Sequence, residues 1–369
     1  MIRQHVLTTE DSNHWRAALS ADECVMGSLE YCRIMERQTG YAARLFVVES
    51  ADARIVYPFF LRQIPSTNFL LDSNQAFWDT TTPEYTGPMM FGHGQAKELI
   101  EAKFKQLFLD FCQEHRIVAE FAHLNPWSLD LGLLDLDCVE VNREIVYVDL
   151  TWGKDAIWNR SLSSDTRRQM KQSVKAGVRV RRAESRTDIL EFHRLYSSTM
   201  KRRGALEKYY FPLEYFLSFF ESMANNAFFM LAEYQEQIVA GGLYLQDTNE
   251  VYWHLSVMDM EFSQVRPVNA YHYETILWAV NAGKQRLLCG GGYEPGDGVF
   301  RFKAGFSPLR APFKVYKRIH NPEAYAALLR DWSARNGGQD PPCNFFPVYR
   351  STGRKDGPGS YNEQLKIGR

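Results

Sequence analysis

The sequence predicts an α/β protein of the α+β kind: two lobes in tandem, each a mixed, mostly antiparallel sheet flanked by helices. Three observations lead there. At 369 residues the chain is long for one hydrophobic core and sufficient for two. Apolar residues follow helical spacing in some segments and strand spacing in others, and no run is long enough for a membrane span. The order helix, strand meander, helix, strand also occurs twice, once on each side of about residue 150. No short-period repeat competes with this reading.

In the first lobe, Val25, Leu29, Cys32 and Met35 are spaced for a helix over Cys24 to Gln38. Strands over Ala43 to Glu49 and Arg54 to Gln63 form a hairpin through Ser50, Ala51 and Asp52. Thr, Pro and Gly make Asp79 to Gly94 a loop. A helix over Gln95 to His115 buries Leu99, Phe104, Leu107, Phe108 and Phe111, and a strand over Ile117 to His123 ends at Asn125-Pro126.

The second lobe starts after a strand over Ile145 to Leu150. A basic helix over Asp165 to Ala176 stops at Gly177, and a strand over Val178 to Arg182 follows. Helices are expected near Thr187 to Arg203 and Pro212 to Ala224, then strands over Phe228 to Tyr234, Ile238 to Leu245 and Val251 to Met258. A helix over Asn269 to Ala282 ends at Gly283, and a strand over Arg286 to Cys289 runs into glycines. Aromatic alternation suggests further strands over Phe300 to Phe306 and Phe313 to Arg318. The expected division is 1–150, 151–335 and a Gly-, Pro- and Ser-rich surface tail over 336–369.

Composition excludes several functions. A net charge of −1 argues against a general DNA-binding protein. The six cysteines have no CxxC or Cys/His metal spacing, and the nine histidines form no HExxH or HxH pair, so no metal site is expected. MIRQHVLTTEDSNHW lacks the apolar core of a signal peptide, so the protein is expected in the cytoplasm. Dinucleotide-binding, P-loop and GxSxG signatures are missing.

Three segments remain as candidates for chemistry. The first is Cys289 to Pro308, where Gly290, Gly291 and Gly292 precede Phe302 and Lys303. A cation among apolar residues beside a glycine loop suits stabilisation of developing negative charge; the alternative is a surface lysine over a tight turn. The second is basic: every charged residue from Arg167 to Arg182 is a cation, with Arg168, Lys171 and Lys175 on one helical face and Lys201, Arg202 and Arg203 nearby. It is either a phosphate-binding surface or a solvated helix face. The third is Gln264 to Ala270, where an acyl-CoA cradle of the form [QR]xxGx[GA] would sit before a helix; its glycines are missing, and Pro267 has no N–H. Tyr85-Thr86-Gly87-Pro88 is a turn or part of a cleft lining, and His254 is a core or edge histidine with some capacity for proton transfer.

Taken together these segments resemble the Fem-type transferases, a branch of the GNAT superfamily with two tandem GNAT-like lobes. The resemblance runs from about residue 20 to 320. It rests on Thr166-Arg167-Arg168 with Lys171 and Lys175 to Val178, Tyr196 through Thr199 to Gly204, Gly241-Gly242, Tyr252-Trp253, Asn269, Gly291-Gly292, Phe302-Lys303 and Gly305-Phe306. Tyr85 to Pro88 and Glu120 to Pro126 are similar too. The long coiled-coil arm of some members is absent.

The resemblance implies transfer of an amino acid from aminoacyl-tRNA to an amine or hydroxylamine of a cell-envelope precursor or natural-product intermediate. It implies that Lys303, beside Phe302, stabilises the tetrahedral oxyanion. Arg167, Arg168, Lys171, Arg202, Arg203, Tyr85, Trp253, Asn269, Gly291 and Gly292 are the expected binding residues. No tightly bound cofactor is expected, and the acceptor is a phosphate-bearing or small-molecule amine. Two alternatives stay open: an acyl-CoA-dependent N-acyltransferase of the same fold, and a non-catalytic nucleotide-sugar or nucleic-acid binding module.

Overall fold

A computed structural model of the chain describes residues 2–65, 76–92, 97–127, 131–292, 294, 296–340 and 345–351. The chain begins with strand β1 (Arg3–Leu7), helices α1 (Ser12–Ala18) and α2 (Leu29–Thr39), and strands β2 (Ala42–Glu49), β3 (Ala53–Gln63), β4 (Trp78–Thr81) and β5 (Met89–Gly92). Helix α3 (Lys97–Glu114) and strands β6 (Ile117–His123) and β7 (Val139–Asp149) follow. Next come α4 (Gly153–Ala156), α5 (Ser164–Ala176), β8 (Arg179–Arg182), α6 (Arg186–Arg202) and α7 (Leu213–Ser222). After strands β9 (Ala227–Tyr234), β10 (Gln237–Gln246) and β11 (Glu250–Met258) lie α8 (Pro267–Asn281), β12 (Arg286–Gly290) and α9 (Gly298–Ala304). Strand β13 (Arg310–Ile319) and helix α10 (Pro322–Arg335) complete the regular structure.

Two compact units result, one from Met1–Arg143 with Pro312–Glu363 and one centred on Glu144–Ala311. The first unit orders its strands β1-β2-β3-β4-β6-β13, with β5 also on β3. The expected hairpin is present, with Ala42 opposite Leu61 and Glu49 opposite Arg54. Phe46, Tyr57 and Phe59 of that hairpin pack on Phe104, Phe108 and Phe111 of α3, a helical face at i, i+4 and i+7. The second unit orders its strands β7-β12-β11-β10-β9-β8. Its core joins Val146 and Val148 of β7 to Met230, Tyr244 and Val251 of the meander and Tyr271 and Ile276 of α8. In both units an antiparallel meander leads through a helix to a parallel partner, β4 with β6 and β11 with β12. That repeat is the rhyme in element order read from the sequence.

Several expectations are corrected. Phe300 to Phe306 is not a strand: Asp297 accepts the Phe300 N–H at 2.7 Å and starts α9. The aromatic residues then obey helical spacing, with Phe302 and Phe306 centroids 5.5 Å apart at i and i+4. The expected loop over Asp79 to Gly94 contains the end of β4 and all of β5, which pair with β3; residues 93 and 94 lie outside the described residues. Helices α1 and α10 and strand β1 were not anticipated. The expected boundary at 335 also differs, because Pro312 onward belongs to the first unit. Within the stretch expected as a surface tail, Phe345 and Tyr349 are buried, and the Tyr349 hydroxyl donates to Asp79 at 2.9 Å.

No helix among the described residues is long and apolar enough to cross a membrane. Among the described residues no group of three His, Cys, Asp or Glu could hold a metal ion.

Candidate functional site

The second unit opens a cavity where its parallel pair parts. Strands β11 and β12 pair over Glu250↔Arg286, Val251↔Leu287 and Tyr252↔Leu288, and no further. From Trp253 to Met258 the edge of β11 borders a space of about 570 Å³, the size of a small-molecule site. On the other edge of β11, Trp253 opposes Tyr244 and Leu255 opposes Leu243, which makes His254 the extra residue of a β-bulge. Such an insertion bends a strand locally and re-aims its side chains.

Five elements supply the remaining wall. Helix α6, started by a Ser185/Asp188 capping box, brings Thr199, Arg202 and Arg203 to the cavity by i, i+3, i+4 spacing. Helix α5 adds Gln169. The 3-10 turn Met260–Val265 delivers the chain to α8 with Arg266 in the left-handed region (φ 57°), and Val268 and Asn269 of the first turn of α8 face the cavity. Helix α9 contributes Gly298, Val299, Phe302 and Lys303.

The Lys303 ammonium donates to the Gly291 carbonyl at 2.8 Å, which ties α9 to the glycine loop. Gly292 has no room for a side chain, since an added Cβ would run into the Asp297 carboxylate that caps α9. Phe302 leans on Trp253, with centroids 6.2 Å apart. Trp253 in turn stacks on His272 at 3.8 Å, and the Tyr244 hydroxyl meets His272 Nδ1 at 2.8 Å. Burial pushes the His272 imidazole well below its ordinary pKa, and the nearby Lys303 pushes it further. Behind it, burial raises the Cys289 thiol to about 12. Burial also lowers His254 to about 4, and its Nε2 lies 3.2 Å from the Tyr215 hydroxyl. At neutral pH both histidines are therefore uncharged.

Charge in the cavity is one-sided. Among the described lining residues Arg202, Arg203, Arg266 and Lys303 are cations, and none is an aspartate or glutamate. Asn269 is only 4% exposed, and its carboxamide makes no hydrogen bond among the described residues.

Of the residues singled out in the sequence, Lys303, Phe302, Arg202, Arg203, Trp253 and Asn269 line this one cavity, and Gly291 holds Lys303. Others do not come to it. Arg167 spends its guanidinium on the carbonyls of Trp158, Asn159 and Leu162, at 2.8 to 3.3 Å. Arg168 pairs with Asp165 at 2.5 Å, and Lys171 is exposed away from the lining. Farther along the basic run, Arg181 is held by Asp188 and Glu233, while Arg182 lies over Phe228 and Trp278. Tyr85 belongs to the first unit and packs against Phe313. Arg266, Ser256 and Gln169 were not foreseen. Arg266 stands in the segment compared with a CoA cradle, so its position was the signal available.

A family model described as an acetyltransferase (GNAT) domain matches residues 160–304, which takes in most of this wall. The UDP-N-acetylmuramoylpentapeptide-lysine N(6)-alanyltransferase of Weissella viridescens is 25% identical over 190 residues, covering 50% of this chain and 55% of that enzyme. The matched part thus spans about half the length of the curated relative. The crystal structure of FemX superposes with a TM-score of 0.66 at 12% identity, over 88% of this chain and 99% of FemX. Residues 160–304 thus match a GNAT domain, and the chain shares the fold of FemX. A second solved structure, the C-terminal domain of a lysylphosphatidylglycerol synthetase (putative in its own description) from Agrobacterium fabrum, shares the fold. It has a TM-score of 0.51 at 14% identity, over 90% of this chain and 98% of that one.

At the start of α8 two backbone positions have no N–H to offer a ligand phosphate. The Arg266 N–H is spent on the Ser263 carbonyl at 3.2 Å, and Pro267 has none to offer.

Proposed function

We propose that this protein is a Fem-like aminoacyltransferase that moves an aminoacyl group from aminoacyl-tRNA to an amine of a cell-envelope precursor. The observation that carries the reading is the cavity itself, lined by the cations Arg202, Arg203, Arg266 and Lys303, with no opposing carboxylate among the described lining residues. Such a site draws in a polyanion and favours a reaction that builds negative charge. The likeness to a pentapeptide-lysine alanyltransferase supports an amine acceptor and an aminoacyl donor.

In the proposed reaction the acceptor amine attacks the ester carbonyl of the donor. A C–N bond forms, the carbonyl electrons move onto oxygen, and the adduct collapses with loss of the ribose oxygen. The nitrogen's proton leaves and the departing oxygen takes one up. Lys303 faces the developing oxyanion, an interaction that strengthens as charge grows. Arg202, Arg203 and Arg266 suit phosphates of the donor or the acceptor, and Trp253 with Phe302 forms a flat wall for a base or the acyl group. No enzyme-bound covalent intermediate is required. The spent and missing N–H groups before α8 favour tRNA over acyl-CoA as donor.

The test is direct. The protein is incubated with lysine-containing UDP-N-acetylmuramoylpentapeptide and either [14C]alanyl-tRNA or [14C]acetyl-CoA. Label reaching the nucleotide from alanyl-tRNA alone is the expected result. Transfer from acetyl-CoA alone would replace this reading with the CoA-dependent one.

A further inference from the structure

We propose that Asn269 selects the donor, reading the α-amino group and the carbonyl of an aminoacyl ester together and rejecting a plain acyl group. This rests on the aminoacyltransferase reading above and specifies how it discriminates.

Asn269 is placed by two rigid neighbours in sequence, Arg266 in the left-handed region and Pro267 at the first helical position of α8. It sits in the first turn of that helix, in the same cavity wall as Phe302 and Lys303. Only 4% of it is exposed, and no side chain or backbone group among the described residues satisfies its carboxamide. While the cavity is open, solvent meets that need. Once a donor fills the cavity and expels water, the donor itself must meet it.

A carboxamide offers an acceptor oxygen and a donor N–H₂ side by side. An aminoacyl ester offers the reverse, an N–H donor on the α-nitrogen and an acceptor carbonyl one carbon away. The two pair in both places at once. An acetyl or propionyl group supplies the acceptor alone and leaves the amide oxygen buried without a partner. A site built to hydrogen-bond a substrate group discriminates strongly against analogues that lack it. The neighbouring charges do not substitute for Asn269: Arg202, Arg203, Arg266 and Lys303 are all donors and would repel an α-ammonium.

Binding separates this from the parent reading without needing the acceptor. Two stable RNAs carry alanyl or propionyl on a 3′-amide linkage and differ only in the amino group. Their Kd values are measured on the wild-type chain, Asn269→Ala and Asn269→Asp. Wild type is expected to hold the alanyl RNA about ten- to a hundredfold more tightly. In N269A the two Kd values fall within about twofold of each other, mainly by weakening of the alanyl RNA. N269D, which accepts from the amine but cannot donate to the carbonyl, lies between. Thermal melting of N269A should be unchanged, since the carboxamide makes no hydrogen bond to another group among the described residues. A preference that survives in N269A, or a wild type that does not distinguish the two RNAs, overturns the role of Asn269. A marked loss of Tm in N269A would likewise make the residue structural. If neither RNA binds more tightly than uncharged tRNA, the donor reading falls, and this inference falls with it.

Discussion

Lys303 is the side chain on which the proposed chemistry turns. Its ammonium has three N–H donors, and the Gly291 carbonyl engages one of them at 2.8 Å. Replacing it with alanine should lower kcat by about 10²–10³ and change KM little, the pattern of an interaction made mainly in the transition state. His254 gives a different prediction. In an unfolded chain an imidazole binds a proton below about pH 6.5, whereas burial in the fold holds this one to about 4. Between those values unfolding takes up a proton. His254 is therefore compatible with full stability above pH 6.5 and penalises the fold as pH falls towards 4, by about 3 kcal/mol. His272, also pushed down by burial, acts in the same direction. Melting curves from pH 7 to 4.5 should show a falling Tm, and His254→Phe should flatten that fall.

At the scale of elements, α9 and the first turn of α8 decide the shape of the site. Helix α9 runs only from Gly298 to Ala304 and depends on its cap, with Asp297 accepting from Phe300 at 2.7 Å. Asp297→Ala should cost about 1 kcal/mol of stability. Its effect on activity should be larger than that loss implies, because Phe302 and Lys303 move with the helix. A drop in kcat at a temperature where circular dichroism shows the variant folded would establish this. An unchanged kcat would mean that the Gly291–Lys303 bond alone holds the lysine. Much of this was legible. Ser163, Gly177 and the amphipathic pattern between them mark α5, and Thr199, Arg202 and Arg203 are spaced for one face of α6. The helical state of α9 was not legible, because Phe300, Phe302 and Phe306 alternate as well for a strand as they do for a short helix. The cap at Asp297 settles the choice locally, and its signal was hidden by the glycines around it.

For the whole chain, the anchoring of its late segment is the feature to test. Asp79 is fully buried and accepts from Arg62 at 2.5 Å, Arg350 at 2.6 Å and the Tyr349 hydroxyl at 2.9 Å. This network lies in the first unit and binds residues 345–351 to β3 and β4. Asp79→Ala leaves two guanidinium groups with no carboxylate between them. The expected cost is about 3–5 kcal/mol, read as a lower urea midpoint. A midpoint within error of wild type would mean that water or other groups take over the pairing.

By itself the sequence determined what local physics can specify: the two-unit α/β architecture, most helices and strands, and the caps at Gly177 and Gly283. Periodicity and turn chemistry act over a few residues, so they survive without a fold. Tertiary structure alone decided which cations line the cavity. Arg167, Arg181 and Arg182 look the same in sequence as Arg202 and Arg203, yet Arg167 turns back to carbonyls of the preceding turn, and Arg181 and Arg182 are held by a carboxylate and rings far along the chain. It also decided that β11 and β12 part after Tyr252, which leaves the cavity, and that Asn269 lines it with no hydrogen bond from its carboxamide among the described residues. Pairing between groups distant in sequence is a property of packing, and no spacing rule encodes it.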